Sequence, residues 1–196
     1  DGLEVPPMPE DKASQMREAA EAIGLRVHSV IYGGWEAPLS SADPAVIRKG
    51  IQGVEGALRA ASKLGADAVL LVPAVVTAET GYADAYQRSQ GNIRNLIPLA
   101  EELGVVITVE NVWNKFLLSP IEFARYVDEL ESEHVQAYFD IGNVVLFGFP
   151  EDWIRTLGSR TKKIHLKDFK REGYQWTNLR EGDVNWPEVM RALEEV

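Results

Sequence analysis

The sequence has no cysteine among its 196 residues, which excludes disulfides and thiolate metal sites. A metal ion bound by this chain must therefore have oxygen and nitrogen ligands. No apolar run approaches the roughly 20 residues that a membrane-spanning helix needs. Positive charge is also scarce, because 20 Lys and Arg stand against 30 Asp and Glu, for a net charge of −10. This balance argues against a general nucleic-acid binder, which would carry a basic face.

The composition is that of a globular protein with one domain. Hydrophobic residues make up 45% of the chain and charged residues 26%, values that are typical of soluble domains. A chain of this length can bury a core of its own. No signal peptide is evident, and we expect a cytoplasmic protein. The chain begins inside a predicted strand, so we also expect a segment upstream of Asp1.

Two stretches, residues 135–143 and 162–171, organise the rest of the sequence. Both are apolar and rich in aromatic or β-branched residues, which predicts buried strands. Between them, residues 150–158 begin with proline and end with glycine, which predicts a short helix. A strand, a helix and a strand in so few residues form a βαβ unit with parallel strands.

The same unit repeats along the whole chain. We predict further strands at residues 2–5, 25–31, 68–72 and 105–111, and helices at 11–23, 44–64 and 84–103. Pro98 lies inside the last of these helices and is expected to kink or break it. Two more helices are predicted from the capping sequences at Ser119-Pro120 and Asn185-Trp186.

The spacing of these units predicts an α/β fold with a parallel sheet. Asp140 follows Glu110 by 30 residues and His165 follows Asp140 by 25, close to the roughly 30 residues of a βαβ unit. A run of such units gives either a doubly wound sheet or a closed (β/α)8 barrel. A full barrel takes about 250 residues. We therefore predict six of its eight units here, with one strand expected before Asp1 and one after Val196.

Glu110, Asp140 and His165 form the candidate metal site. Each interrupts a buried strand at its carboxyl end, where barrel enzymes keep their chemistry. A charged group at such a position is costly unless it is paired or bound to a cation. Two carboxylates and one imidazole suit a divalent ion such as Mn, Mg, Co or Zn, which can act as a Lewis acid. Glu110 is also the candidate catalytic base.

Each of these residues has a simpler explanation as well. Glu110 could cap the next helix or pair with Lys115. Asp140 could accept hydrogen bonds from the backbone of the turn that follows it, and His165 could be a core histidine. Their equivalent positions on three consecutive predicted strands favour the joint interpretation as a metal site.

The motifs resemble those of the xylose isomerase-like TIM-barrel family of sugar isomerases and epimerases. The resemblance spans essentially the whole chain, and its order and spacing are more specific than any one motif. It is carried by Glu110-Asn111, Asp140-Ile141-Gly142-Asn143, His165-Leu166-Lys167-Asp168 and Glu181-Gly182-Asp183-Val184-Asn185-Trp186.

The resemblance implies one divalent ion, with manganese among the candidates. In the family, the ion is held by Glu, Asp, His and a second Glu, and the first three match Glu110, Asp140 and His165. The second Glu lies on the eighth strand, which is not part of this sequence. The implied activity is isomerisation or epimerisation of a small sugar or sugar phosphate. It proceeds by proton abstraction next to a carbonyl through a metal-stabilised enediolate.

Six further residues are candidates for substrate binding. Aromatic rings in loops over the barrel mouth could face a sugar, or they could only pack the loops. Asn143 could reach the substrate, and Asp168 could orient a ligand. In the related epimerases, a basic residue at about the offset of Arg171 from the histidine contacts substrate. The full set is Trp35, Trp113, Asn114, Asn143, Asp168 and Arg171.

The sequence is also compatible with two other functions. A dehydratase of the inosose or dehydroshikimate type would share the first proton abstraction, and a non-catalytic carbohydrate-binding barrel would need no second glutamate. An abasic-site endonuclease is disfavoured, because its multi-zinc site needs more than the three histidines present. We expect a small sugar-derived substrate and neither a nucleic-acid nor a membrane partner. Six strands leave two open sheet edges, which invite pairing, so a homo-oligomer is also possible.

Overall fold

A computed structural model describes residues 2–196, which form one parallel sheet covered by helices. The strands of this sheet are β1 (Gly2–Val5), β2 (Arg26–Gly33), β3 (Ala68–Leu71), β4 (Val106–Glu110), β5 (Val135–Asp140) and β6 (Thr161–His165). The helices are α1 (Glu10–Ala22), α2 (Pro44–Leu64), α3 (Tyr82–Leu103), α4 (Pro120–Asp128), α5 (Ile141–Val145), α6 (Pro150–Leu157) and α7 (Trp186–Glu195).

The six strands lie side by side in sequence order, and every neighbouring pair is parallel. The sheet curls strongly, since Oε2 of Glu4 on the first strand lies 2.9 Å from Nε2 of His165 on the last one. This is a partial (β/α)8 barrel, and the predicted fold class, with six of the eight units, is confirmed.

The helix ends follow the capping residues seen in the sequence. Asp43 caps α2 by accepting a hydrogen bond from the Ala45 amide at 2.7 Å, and Gly65 ends it with a φ of 73°. Ser119 caps α4 through the Glu122 amide, and Asn185 caps α7 through the Glu188 amide. These caps fix where each helix leaves the sheet and so fix the loops at the barrel mouth.

Of the two outcomes expected at Pro98, a kink or a break, the break does not occur. Helix α3 runs without interruption from Tyr82 to Leu103. A proline inside a helix removes one backbone donor. Burial of Ile93, Leu96 and Ala100 on the inner face of the helix holds both halves against the barrel.

The core lies between the sheet and its helices. All four residues of β3 are buried, as expected for a strand covered on both faces. Among residues 2–196, no helix combines the length and apolar character needed to span a membrane.

Both of the predicted strands that organise the chain are shorter than expected. β5 ends at Asp140 because the side chain of that residue caps α5, so Asn143 lies in a helix. β6 ends at His165, and residues 168–170 instead form strand β7 (Asp168–Lys170). This strand pairs antiparallel with β8 (Gln175–Thr177), which creates a hairpin that we did not predict.

Two glycines of α2 provide a matched test of this packing. A Cβ atom on Gly50 would lie 2.4 Å from the carbonyl oxygen of Ala37, whereas one on Gly56 would meet nothing within 4 Å. Gly50→Ala should therefore lower the free energy of unfolding by about 1–3 kcal/mol. Gly56→Ala should raise it by about 0.5–1 kcal/mol. Urea unfolding measures both, and equal effects of the two substitutions would contradict the close approach of α2 to the loop before it.

Candidate functional site

Glu110, Asp140 and His165 come together at the carboxyl ends of β4, β5 and β6. Asp140 and His165 are paired neighbours in the sheet register. One ligand atom from each of the three residues lies within 4.8 Å of the other two. Adjacent parallel strands present their ends at the same rim, which explains how residues 55 positions apart in the chain meet.

His165 sits between two carboxylates. Its Nδ1 lies 2.8 Å from Oε1 of Glu110, and its Nε2 lies 2.9 Å from Oε2 of Glu4. Burial alone would lower the pKa of His165, but the hydrogen bonds to Glu110 and Glu4 outweigh it and raise the pKa to about 9. Without a bound ion, the imidazole is therefore protonated at neutral pH while it bridges these two groups, and a ligand role for Nδ1 requires loss of that proton.

Glu4 is held at both of its carboxylate oxygens. Oε1 accepts hydrogen bonds from Ser29 at 2.6 Å and from the Tyr138 hydroxyl, and Oε2 faces His165. Burial raises the pKa of Glu4, but these three partners lower it more, to about 2. Burial and the Glu4 carboxylate raise the pKa of Tyr138, so its hydroxyl stays a donor. Glu4 thus fixes the orientation of the His165 ring.

Glu110 is the carboxylate whose pKa is shifted upward. It is 6% exposed, and this burial raises its pKa. The hydrogen bond from His165 opposes the rise, and the nearby charge of Asp140 adds to it. Its hydrogen bond goes to His165, so the alternative of a pair with Lys115 is not what the structure contains.

Asp140 divides its two oxygens between two tasks. Oδ1 accepts a hydrogen bond from the Asn143 amide at 2.9 Å, which caps α5. The Asn111 side chain holds the Asp140 backbone through both its amide and its carbonyl group. Oδ2 is buried and accepts no directed hydrogen bond from the described residues. Its near neighbours are Nζ of Lys167 at 2.5 Å and Nδ1 of His165 at 3.8 Å.

This arrangement fits a divalent cation. Oδ2 belongs to a fully buried carboxylate, so it requires a cation beside it, and in this structure Lys167 supplies that charge. The Glu110 and His165 ligand atoms lie beside Oδ2. Two oxygens and one nitrogen form a donor set of the kind that Mn, Mg, Co and Zn accept. The alternative for Asp140, a turn-capping role, is present in the structure and uses the other oxygen, Oδ1.

Aromatic rings wall one side of this cluster. Trp113 stacks on Trp176 with ring centroids 5.1 Å apart and an angle of 24° between the planes. Phe169 and Tyr174 pack around the same pair. The β7–β8 hairpin supplies three of these four rings, so it holds Trp113 over the barrel mouth. Trp113 remains 37% exposed and can face a ligand.

Asn143 and Asn114 use their side chains to hold backbone. Nδ2 of Asn143 donates to the Asn111 carbonyl at 2.8 Å, and the Asn143 carbonyl accepts from the Trp113 indole. Nδ2 of Asn114 donates to the Ala74 carbonyl, and its Oδ1 accepts from the Phe116 amide. Asn143 adjoins the cluster because its backbone amide donates a hydrogen bond to Oδ1 of Asp140, and Asn114 anchors the loop after β4.

The remaining candidates have their contacts with residues other than the three ligands. The Asp168 carboxylate is 1% exposed and accepts from the Phe169, Arg180 and Val184 amides and the Trp186 indole. Arg171 donates to the Gly148 carbonyl, pairs with Asp183 and lies over the Phe149 ring. Trp35 is 50% exposed and lines a separate surface cavity of about 630 Å³ after β2, together with Tyr32 and Lys49.

Sequence reasoning missed Tyr138 and did not place Glu4 beside the histidine. Tyr138 lies two residues before Asp140, and side chains two apart on a strand share a face. That spacing was a usable signal for Tyr138. Glu4 and His165 are 161 residues apart, and only the curl of the sheet brings them together.

A family model described as xylose isomerase-like TIM barrel matches residues 1–196. The chain belongs to this family. The resemblance seen in the motifs is thus confirmed over the full length of the sequence.

Solved structures of the xylose isomerase-like fold superpose closely on this chain. A D-tagatose 3-epimerase-like protein has a TM-score of 0.87 at 18% identity, covering 100% of this chain and 78% of that one. A D-psicose 3-epimerase has a TM-score of 0.84 at 21% identity, covering 100% of this chain and 71% of that one. The xylose isomerase domain protein from Planctomyces limnophilus has a TM-score of 0.83 at 18% identity, covering 99% of this chain and 77% of that one. At these identities the likeness establishes the fold.

A curated relative carries no assigned activity. The uncharacterized protein MJ1311 of Methanocaldococcus jannaschii is 23% identical over 173 residues, which cover 82% of this chain. The chain spans 59% of the length of that relative.

The role of Asp168 can be tested by its effect on stability. Asp168→Ala would leave four donors without their acceptor, so we expect the free energy of unfolding to fall on the order of 3 kcal/mol. Glu181→Ala, at an exposed position of the same loop, should change it by about 0.5 kcal/mol or less. Urea unfolding followed by tryptophan fluorescence is the measurement. A stable Asp168→Ala protein would mean that this carboxylate is available to a ligand.

Proposed function

We propose that this chain forms the active-site part of a metal-dependent isomerase or epimerase of a small sugar or sugar phosphate. The observation that carries the proposal is the convergence of Glu110, Asp140 and His165, whose ligand atoms lie within 4.8 Å of one another. Such a donor set at the carboxyl rim of a barrel is suited to a divalent ion and to a substrate rich in hydroxyl groups.

Glu110, Asp140 and His165 would hold the ion through Oε1, Oδ2 and Nδ1. When bound, a divalent ion supplies the positive charge that stabilises negative charge developing on a substrate carbonyl oxygen. Glu4 holds the other ring nitrogen of His165, and this carboxylate–histidine pairing fixes the ring so that Nδ1 points into the site.

Glu110 is the residue to which we assign proton transfer. It is buried at the strand end beside His165, where it can accept a proton from the carbon next to a carbonyl group. Glu4 is the carboxylate on the Nε2 side of the His165 ring. Both of its oxygens are engaged, so we assign it to positioning rather than to proton transfer.

The aromatic rings provide the candidate surface for the sugar. Trp113 and Trp176 form a stacked pair beside the cluster, and an indole face complements the apolar face of a sugar ring. Asn143 lies next to Asp140 and adjoins the same space. We assign Asn114 and Asp168 to holding the loops that carry this surface, and Arg171 and Trp35 to its periphery.

The names of the structural relatives agree with this proposal. Two of the three superposed structures are named after ketose 3-epimerases, for D-tagatose and D-psicose. Those enzymes support a ketose or a related carbonyl sugar as the substrate class for this chain. Their sequence identity is low, so the activity of this chain rests on its own residues.

Metal content is the first test. We expect about one divalent ion per purified chain by elemental analysis, because three ligands converge on one point. Asp140→Ala should abolish metal binding, since it removes Oδ2, one of the three candidate ligand atoms. Asp84→Ala, an exposed control in an i,i+4 pair with Arg88, should leave the content unchanged. Metal that persists in Asp140→Ala would place the ion elsewhere.

Proton abstraction can be followed without knowledge of the product. With Mn²⁺ present, a ketose substrate should take up deuterium from solvent at the carbon next to the carbonyl, measured by NMR. Glu110→Gln should lower this exchange by at least about 100-fold, the usual contribution of a general base. Glu102→Gln, exposed on α3, should exchange at the wild-type rate. Full exchange in Glu110→Gln would assign the base to another residue.

A further inference from the structure

Lys167 contacts the carboxylate at the centre of the candidate metal site. Its Nζ lies 2.5 Å from Oδ2 of Asp140, the oxygen that would face the ion. The Asp140 side chain is completely buried, whereas the Lys167 side chain is 45% exposed. A half-exposed ammonium therefore neutralises a fully buried carboxylate.

A divalent ion and this ammonium require the same oxygen. If both were bound to Oδ2, two positive centres would lie within a few ångströms of each other in a partly buried site, where their repulsion is strong. We propose that Lys167 is an exchangeable counter-ion of the metal site, which competes with the divalent ion for Asp140 and is displaced when the ion binds. This inference rests on the function proposed above.

The surroundings of Lys167 allow such a displacement. Lys167 lies on the short connection between β6 and β7, and its backbone is fixed by close contact with Gly142. A Cβ atom on Gly142 would meet Cβ of Lys167 at 2.6 Å and the Trp176 ring at 2.8 Å. The ammonium also lies 5.9 Å from the centroid of the Trp176 ring, a distance at which a cation is attracted to an indole face. An ammonium that leaves Asp140 would therefore stay close to an attractive ring.

Competition of this kind has two consequences for the site. Asp140 keeps a cationic partner at all times, which avoids the cost of an isolated buried carboxylate. A monovalent ion offers no more charge than the ammonium that it would replace, whereas a divalent ion offers twice as much. Lys167 therefore favours divalent over monovalent cations and lowers the affinity for both.

The experiment is a titration of Lys167→Gln with Mn²⁺ by isothermal calorimetry. Glutamine keeps an amide donor for Asp140 but removes the charge, so we expect Mn²⁺ to bind at least about tenfold more tightly than to the wild type. Lys167→Arg, which keeps the charge, should bind with near wild-type affinity. Lys170→Gln, an exposed control on the neighbouring strand, should also match the wild type. A merely structural role would not strengthen binding.

Thermal unfolding gives a second readout. Without Mn²⁺, Lys167→Gln should melt at a lower temperature than the wild type, because Asp140 loses its charged partner. With saturating Mn²⁺ the gap should close, because the ion replaces that partner. A gap of equal size with and without Mn²⁺ would mean that the lysine stays on Asp140, and it would overturn the inference.

The outcomes separate this inference from the proposed function. Suppose that the wild type binds Mn²⁺ through Asp140 and that Lys167→Gln binds it equally or more weakly. This result overturns the counter-ion inference and leaves the proposed metal site standing. Binding by Lys167→Gln but not by the wild type supports the counter-ion most strongly. Absence of binding by both proteins overturns both proposals.

Discussion

The burial of the Asp140 carboxylate is the constraint on which the rest of the site depends. Its side chain has no exposure to solvent, so its charge must be balanced by groups that the fold brings to it. The Asn143 amide donates a hydrogen bond to Oδ1 of Asp140, and His165 and Lys167 lie near Oδ2. The strand ends, the short helix α5 and the connection after β6 are each arranged around this one group.

Charge balance extends this constraint to the neighbouring residues. The carboxylates of Glu4, Glu110 and Asp140 face two cationic side chains, His165 and Lys167. Three negative groups with two positive ones leave an excess of negative charge, which a divalent ion in place of the Lys167 ammonium would reduce. Each hydrogen bond to His165 also fixes its ring, so the network that balances the charge orients the ligand at the same time. The hairpin of aromatic residues then covers this network on one side.

Much of this architecture could be predicted from the sequence. The regular spacing of Glu110, Asp140 and His165 gave the parallel strands and their shared rim, because a βαβ unit has a nearly fixed length. Proline, serine and asparagine at helix starts marked α2, α4 and α7 correctly, since capping is a local interaction. Of the kink or break expected at Pro98, the break was wrong, because contacts of α3 with the barrel outweigh the loss of one helical hydrogen bond.

The sequence by itself determined the elements with local causes: the order of strands and helices, their caps, and the three metal-ligand candidates at strand ends. Only the tertiary structure decided which groups meet them. Glu4 reaches His165 because the sheet curls, and curl is a property of all six strands together. The contact of Lys167 with Asp140 arises in the same way. Both depend on contacts between distant segments, which no local pattern of residues encodes.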